Sequence, residues 1–535
     1  MKGLPGATRR YLAFACAIAL AGIAARAAFG SLKDTFHVDE GFSAAITGGD
    51  WQQGIDRAPH GVWIEGDELF DRCFCDGLAA SGRADFARIA ESTGLDVHPP
   101  LYYWALAVSR AAFGVRNFAL AGYALNLMLF ALSCALLTFI ALRVWGSWPF
   151  ALLALACFTF SSASISLTVF VRMYELLETA CLAFLASASL VLFPRGKRSA
   201  RGSGAPTACA RAIAVSGLCA SSCVGLLTHY YFLLFLAPVA AFSLVYLAMR
   251  KDPVSLLWGA LAVLVGLYLA YRAFPAMEGQ LFGSYRSAQG IDQIIGATVA
   301  RRLGFLAAYI KILSTNLVPL IVPIVVIAIA CVTRLRGAGG PGVLESAGCA
   351  PAPFARPAFV LFLFVFAVTF AAIAISAPYR SARYVAAFFP VYALAFVGLA
   401  LLALPARSAR ALVGAAAILV AAHGLVPANA CAFHEDYAVD ADPYYMRDGK
   451  PVIIMAAAEG GVWKNMLPYV NARKGTRVFV ATAPVMADPS AYLSAIAKGS
   501  GSGEAYALVD HFAASPAFKK IGHYGFFEVY LVPAR

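Results

Sequence analysis

FALAGYALNLMLFALSCALLTFIAL, residues 118–142, carries no acidic or basic side chain from end to end. The hydrocarbon core of a bilayer takes about 20 apolar residues per helix, so this stretch reads as a membrane span. Comparable runs follow at 147–168, 172–193, 212–229, 231–249, 254–273, 305–331, 357–377, 383–404 and 409–426. The N-terminus is basic at Lys2, Arg9 and Arg10 and then apolar from Tyr11 to Gly30. Ala25-Arg26-Ala27 mimics a signal-peptide cleavage site, but the length of the run favours a retained helix. The expectation is a polytopic α-helical membrane protein with about eleven transmembrane helices.

Composition agrees. Of 535 residues, 61% are apolar and 13% charged, and mean hydropathy is +0.73. An ordinary soluble domain is about 45–50% apolar and about 25% charged. A soluble enzyme, a secreted disulfide scaffold and a disordered chain are excluded.

The net charge of +13 is unevenly spread. Residues 31–99 hold thirteen acids and five bases, while the loop 194–211 holds five bases (Arg195, Lys197, Arg198, Arg201, Arg211) and no acid. Opposite signs on alternate loops mark membrane topology, with Lys and Arg cytoplasmic. They are not a nucleic-acid patch. The short run 98–114, closed by Arg110 and Arg116, reads as an interfacial or half-inserted helix. The acidic segment before it should form short amphipathic helices on the membrane surface, around Trp63–Leu78 and Phe86–Gly94.

After Ala428 the apolar runs shorten to strand length at 451–457, 476–482, 504–510 and 526–532, with helix-like stretches at 461–473 and 489–498. This alternation implies a small α/β domain. The expected division is a membrane domain over 1–427, including an outer loop at 31–117, and a separate outer-side domain over 428–535. The tail has no G-x-G-x-x-G and no P-loop. Cys73, Cys75 and Cys431 lie outside the spans, where an oxidising compartment would permit a bridge to Cys431 from either of the others. Their connectivity stays open.

Polar residues gather at helix ends. Asp39 and Glu40 stand in HVDEG (37–41), just past the first helix. A carboxylate there can take a proton from an acceptor hydroxyl, and a second can orient the acceptor. Asp96 and His98 stand in DVHPPLYY (96–103), where two prolines fix the backbone. Arg172 and Tyr174, His229 and Tyr230, and Arg380, Arg383 and Tyr384 stand at the ends of later spans. Arginine at membrane depth is costly unless paired or functional. It is also well suited to grip a phosphate through two parallel hydrogen bonds. Ion pairing of Arg172 with Glu175 or Glu178 is the structural alternative.

Taken in order, Asp39-Glu40, Asp96-x-His98-Pro99-Pro100-Leu101, Arg172-Met173-Tyr174, Thr228-His229-Tyr230-Tyr231 and Arg383-Tyr384 followed by Pro390 resemble the C-type glycosyltransferases. The likeness is to the protein mannosyltransferase-like family 39 and its bacterial relatives that modify lipid A or cell-surface glycans. The resemblance covers residues 37–390 and implies the C-type glycosyltransferase fold. It also implies transfer of a sugar, with inversion, from a polyprenyl-phosphate donor to a glycan, lipid or protein acceptor at the outer face of the inner membrane. On this reading Asp39 is the base with Glu40 beside it, and Asp96 and His98 shape the acceptor side. Arg172, Tyr174, His229, Tyr230, Arg380, Arg383 and Tyr384 hold the donor phosphate. No metal, cofactor or nucleic acid is implied. Tyr102-Tyr103 stand where protein mannosyltransferases often have Gly-Lys, which argues against a protein acceptor. The loop 274–304 reads as a connector or as a flap over the donor, with Tyr285, Arg286, Arg301 and Arg302 as further phosphate candidates. The alternative to an enzyme is a transporter or flippase of a lipid-linked sugar.

Overall fold

The computed structural model describes residues 6–33, 35–48, 51–75, 78, 84–194, 208–283, 299–312, 355–377, 381–427, 449–456, 462–472, 474–482, 489–509, 518–525 and 527–534, with single helical positions at 325, 328, 329 and 332. The chain divides into two compact units. The first comprises 1–30, 96–102 and 126–432, and the second 31–95, 103–125 and 433–535.

The chain is mostly helical and multi-pass. Among the described residues seven helices are long and apolar enough to cross a membrane: Gly6–Leu32, Phe118–Trp145, Tyr174–Leu192, Ala208–Thr228, Tyr231–Met249, Pro253–Ala273 and Ala355–Ser376. An eighth is counted if the pair Trp148–Thr159 and Ser162–Val169, bent by 54°, is one span. Most of the span expected at 305–331 lies outside the described residues. The one expected at 383–404 is instead a four-residue helix, Arg383–Ala386, followed by Phe389–Ala403 with Pro390 in its first turn. Proline is tolerated there because the first-turn N–H has no intrahelical partner. The last expected span is Ala406–Gly424, whose first turns carry Arg407 and Arg410.

The bend at Phe160–Ser161 frees backbone groups inside an apolar region, where each must find a partner. Ser161 caps the second half by accepting from the Ser164 N–H (3.2 Å). Arg26, on the first helix and almost wholly buried, braces the bend through one carbonyl and two hydroxyls. It donates to Thr159 O (2.8 Å), Ser164 Oγ (2.6 Å) and Thr168 Oγ1 (2.9 Å), with its guanidinium 3.5 Å from the Phe130 ring centroid. Thr168 Oγ1 in turn lies 3.0 Å from Glu175 Oε2. Arg26 is therefore a fixture of the broken helix.

The second unit is built on a six-stranded sheet. Its strands are β1 (Trp63–Glu65), β2 (Val452–Ala456), β3 (Arg477–Thr482), β4 (Glu504–Val509), β5 (Lys519–Tyr524) and β6 (Phe527–Pro533), in the order β1-β3-β2-β4-β6-β5. β3, β2 and β4 run parallel; β1, β6 and β5 pair antiparallel. One face buries Ile453, Met455, Ala481, Ala507, Val509 and Val532 against Leu493 and Ile496 of the helix Pro489–Gly499.

This sheet corrects two expectations. Trp63–Glu65 is a strand and not the start of a surface helix, which begins at Gly66 and ends at Phe74. Trp63 lies opposite Phe479, ring centroids 5.4 Å apart, and pairing with β3 decides its conformation. The residues of 31–117 therefore do not group with the membrane helices as expected; most of them pack with the tail. Asn471 fixes this join by accepting from the Phe36 N–H (2.7 Å) and donating to Phe36 O (2.9 Å). A Cβ on Gly41 would lie only 2.4 Å from Met466 Cγ, so the two segments touch at backbone range. The helix Phe86–Gly94 forms as expected, capped by Asp85, which accepts from the Arg88 N–H (3.0 Å). Leu101–Phe113 is a helix of 13 residues, about 20 Å long and too short to cross a bilayer. Cys73 and Cys75 are buried and form no disulfide among the described residues, and Cys431 lies outside them. Burial pushes the Cys75 thiol up to about 11 even though Arg110 lowers it, so it is a poor nucleophile.

Candidate functional site

In the first unit four separate segments bring together residues singled out from sequence. Asp96 and His98 sit in the turn before the helix Leu101–Phe113. Arg172 and Tyr174 follow the broken span. His229 and Tyr230 fill the turn between Ala208–Thr228 and Tyr231–Met249. Arg383 and Tyr384 open their short helix.

The contacts form a continuous set. His98 Nδ1 lies 3.0 Å from Asp96 Oδ2. The His98 and His229 rings are 5.4 Å apart, Tyr174 and His229 5.5 Å, and Tyr174 and Tyr384 6.3 Å. Tyr231, not among the expected site residues, links His229 (4.6 Å) to Tyr384 (5.4 Å). The Arg383 guanidinium lies over Phe170 (5.8 Å) and Tyr384 (5.5 Å). Arg172 and Arg383 are buried, and Arg172 acts electrostatically on both Asp96 and His229.

Charge states follow from these neighbours. Burial alone would raise the Asp96 carboxyl, but His98, Arg172 and the Val97 N–H together hold it below the usual carboxylate range. Asp96 is thus an anion and an acceptor, so His98 Nδ1 carries a proton. His229 differs at the same nitrogen. Its Nδ1 accepts from the Tyr231 N–H (3.0 Å), leaving the proton on Nε2. Burial, with His98 and Arg172 beside it, holds His229 well below the ordinary histidine value, so it is neutral at pH 7. At Nδ1, therefore, His98 donates and His229 accepts.

Gln280, on the helix Met277–Phe282, was not legible as a site residue. It accepts from the Tyr230 hydroxyl and donates to Asp96 O (2.7 Å), tying the His229 turn to the Asp96 turn. Burial and the nearby Asp96 carboxylate raise the Tyr230 phenol, which stays a donor. Arg380, Tyr285 and Arg286 lie outside the described residues. Arg301 and Arg302 lie on the helix Val299–Ile312.

Asp39 and Glu40 open the helix Val38–Thr47 in the second unit. His37 caps it: Nδ1 accepts from the Asp39 N–H (3.0 Å), and Glu40 Oε2 accepts from the His37 N–H (2.8 Å). This reciprocal box satisfies two N–H groups that a helix start leaves open. Glu40 is fully buried and ion-paired with Lys33, whereas the Asp39 side chain is one-fifth exposed. The adjacent acids are therefore unequal: Glu40 builds the helix start, and Asp39 is the more accessible of the two.

No protein-family model matches the chain, and no curated protein matches it in sequence. Among solved structures it is similar to ArnT from Cupriavidus metallidurans in the apo state. That likeness has 14% identity and a TM-score of 0.45 over 99% of both chains. It is also similar to the same protein bound to undecaprenyl phosphate, at 13% identity and a TM-score of 0.49 over 99% of this chain and 98% of that one.

Proposed function

We propose that the chain is an integral-membrane glycosyltransferase of the C-type fold. It moves a sugar from a polyprenyl-phosphate donor to a cell-envelope glycan or lipid at the periplasmic face of the inner membrane, where residues 428–535 also lie. The observation that carries this reading is the gathering of Asp96, His98, Arg172, Tyr174, His229, Arg383 and Tyr384 from four distant segments into one contiguous set in the membrane-embedded unit, with Asp96 and His98 at its partly exposed edge and the others buried. Buried arginines walled by rings and a neutral His229 suit a phosphate at the end of an apolar tail. The sequence motifs that carry the family resemblance supply these same residues.

In this reading Asp39 takes the proton of the acceptor hydroxyl. The acceptor oxygen bonds to the anomeric carbon from the side opposite the phosphate. The bond from that carbon to the phosphate oxygen breaks, and its electron pair leaves with the lipid phosphate. Arg172 and Arg383, with Arg380 as a further candidate, stabilise the departing charge. His229 and Tyr230 donate to phosphate or sugar oxygens, and Asp96 and His98 shape the acceptor side. Glu40 acts through its cap, fixing the backbone that carries Asp39.

Mass spectrometry of envelope glycans and lipid A from a deletion strain tests this. Wild-type protein should restore a one-sugar increment. Asp39→Asn, which keeps the shape and removes the base, should lose about 10²–10⁴ of the rate while remaining folded. Full restoration by Asp39→Asn would remove the catalytic assignment. Movement of lipid-linked sugar across vesicles with no glycosylated product would favour the transporter reading.

A further inference from the structure

Arg172 sits in a stretch that has no regular structure to hold it. The helix Ser162–Val169 ends at Phe170, whose backbone is extended (φ −97°, ψ 109°), and the Arg172 N–H reaches back to Phe170 O at 2.7 Å. A turn this tight leaves neighbouring carbonyls open in an apolar interior, and each unmet one is costly.

Asn126, on the membrane helix Phe118–Trp145, meets one of them, Thr168 O, and gives Phe170 O a second donor. Its Nδ2 donates to Thr168 O and to Phe170 O, both at 3.0 Å. Its Oδ1 accepts from the Tyr102 hydroxyl at 3.1 Å. Asn126 and Tyr102 are both fully buried. The two N–H donors of the amide and its oxygen are all engaged, and the Tyr102 hydroxyl fixes which end of the amide faces the turn. Tyr102 lies four residues beyond His98, in the first turn of the helix that follows Pro99-Pro100. One amide thus ties the segment carrying Asp96 and His98 to the segment carrying Arg172. Thr168 is held from its other side by Arg26 Nε at 2.9 Å.

We propose that Asn126 is a positioning residue for the site, holding the Thr168–Arg172 turn against the Asp96–Tyr102 segment so that Arg172 keeps its place beside Asp96 and His229. That this place serves a donor phosphate rests on the function proposed above; the positioning itself does not. A polar amide in a membrane helix is costly unless every group is paired. A leucine would suit the hydrocarbon setting but take the amide donor from both Thr168 O and Phe170 O, leaving Phe170 O with the Arg172 N–H alone.

The test uses the full-length protein in nanodiscs and two variants. Asn126→Leu removes all three bonds, and Tyr102→Phe removes only the one that orients the amide. The first measurement is the pH titration of the His229 imidazole by NMR, since Arg172 is one of the groups beside it that keep it neutral. Both variants should move that titration upward toward an ordinary histidine, Asn126→Leu more than Tyr102→Phe. The second measurement is the Kd for undecaprenyl phosphate, which should rise about tenfold in Asn126→Leu and less in Tyr102→Phe. If Asn126→Leu fails to fold, Tyr102→Phe decides. An unchanged His229 titration in folded protein overturns the positioning role. A shifted titration with an unchanged Kd supports that role and overturns the donor role given to Arg172.

Discussion

Arg110 in the second unit and Arg172 and Arg383 in the first are buried in opposite settings. In the second unit Arg110 is fully buried and its hydrogen bonds end largely on backbone: Ala44 O (2.8 Å), Phe74 O (2.8 Å) and Val115 O (3.0 Å), with Thr47 Oγ1 at 2.5 Å. It joins the end of the helix Val38–Thr47, the end of Gly66–Phe74 and the loop after its own helix. In the first unit Arg383 lies over the rings of Phe170 and Tyr384, and Arg172 acts on a carboxylate and a neutral imidazole. Burial alone does not separate scaffold from site. What surrounds the guanidinium does: carbonyls that would be orphaned without it on one side, and rings, a histidine pair and a carboxylate on the other.

The largest effect should come from breaking the scaffold. Arg110→Leu leaves several buried carbonyls without a donor and should cost about 3–5 kcal/mol. Denaturant unfolding followed by tryptophan fluorescence measures this, and a change within experimental error would put Arg110 in the other class. A smaller effect sharpens the site half. Since His229 is held well below 6.5 in the folded chain, the unfolded chain takes up a proton near pH 6.5 that the folded one refuses. Stability should therefore fall as pH drops below about 6.5 and gain no slope from this residue above it. His229→Gln should lose that acid slope. Thermal unfolding at about pH 7 and about pH 5 checks the sign, and equal slopes in wild type and variant would remove the neutral-histidine assignment.

Legibility differed between the two units for a physical reason. Membrane helices announce themselves through uninterrupted apolar runs, and Pro253–Ala273 and Ala355–Ser376 fall within two residues of expectation. Strands β2, β3, β4 and β6 were visible as short apolar runs bounded by polar residues. β1 was not, because three residues become a strand only through a partner more than four hundred positions away. β5, KKIGHY, was hidden by its lysines and glycine; it is an edge strand held by the hairpin at Gly525 (φ +60°). At the site, Asp96, His98, Arg172, His229 and Arg383 could be picked out because charge or imidazole at a helix end is expensive. Asn126, Gln280 and Arg26 could not. Their partners lie 42, 184 and 142 positions away, and nothing local distinguishes an amide that completes a distant turn from one that faces a neighbour. Arg26 even sat inside a stretch that mimics a cleavage site.

The central claim is that the ring-walled arginines hold a lipid phosphate. The most direct measurement compares binding of undecaprenyl phosphate with that of undecaprenol to the full-length protein in nanodiscs, for wild type and Arg383→Gln. Wild type should prefer the phosphate by about tenfold to a hundredfold, and Arg383→Gln should lose most of that preference while still binding the alcohol as before. Equal binding of phosphate and alcohol by wild type, or an undiminished preference in Arg383→Gln, would contradict it.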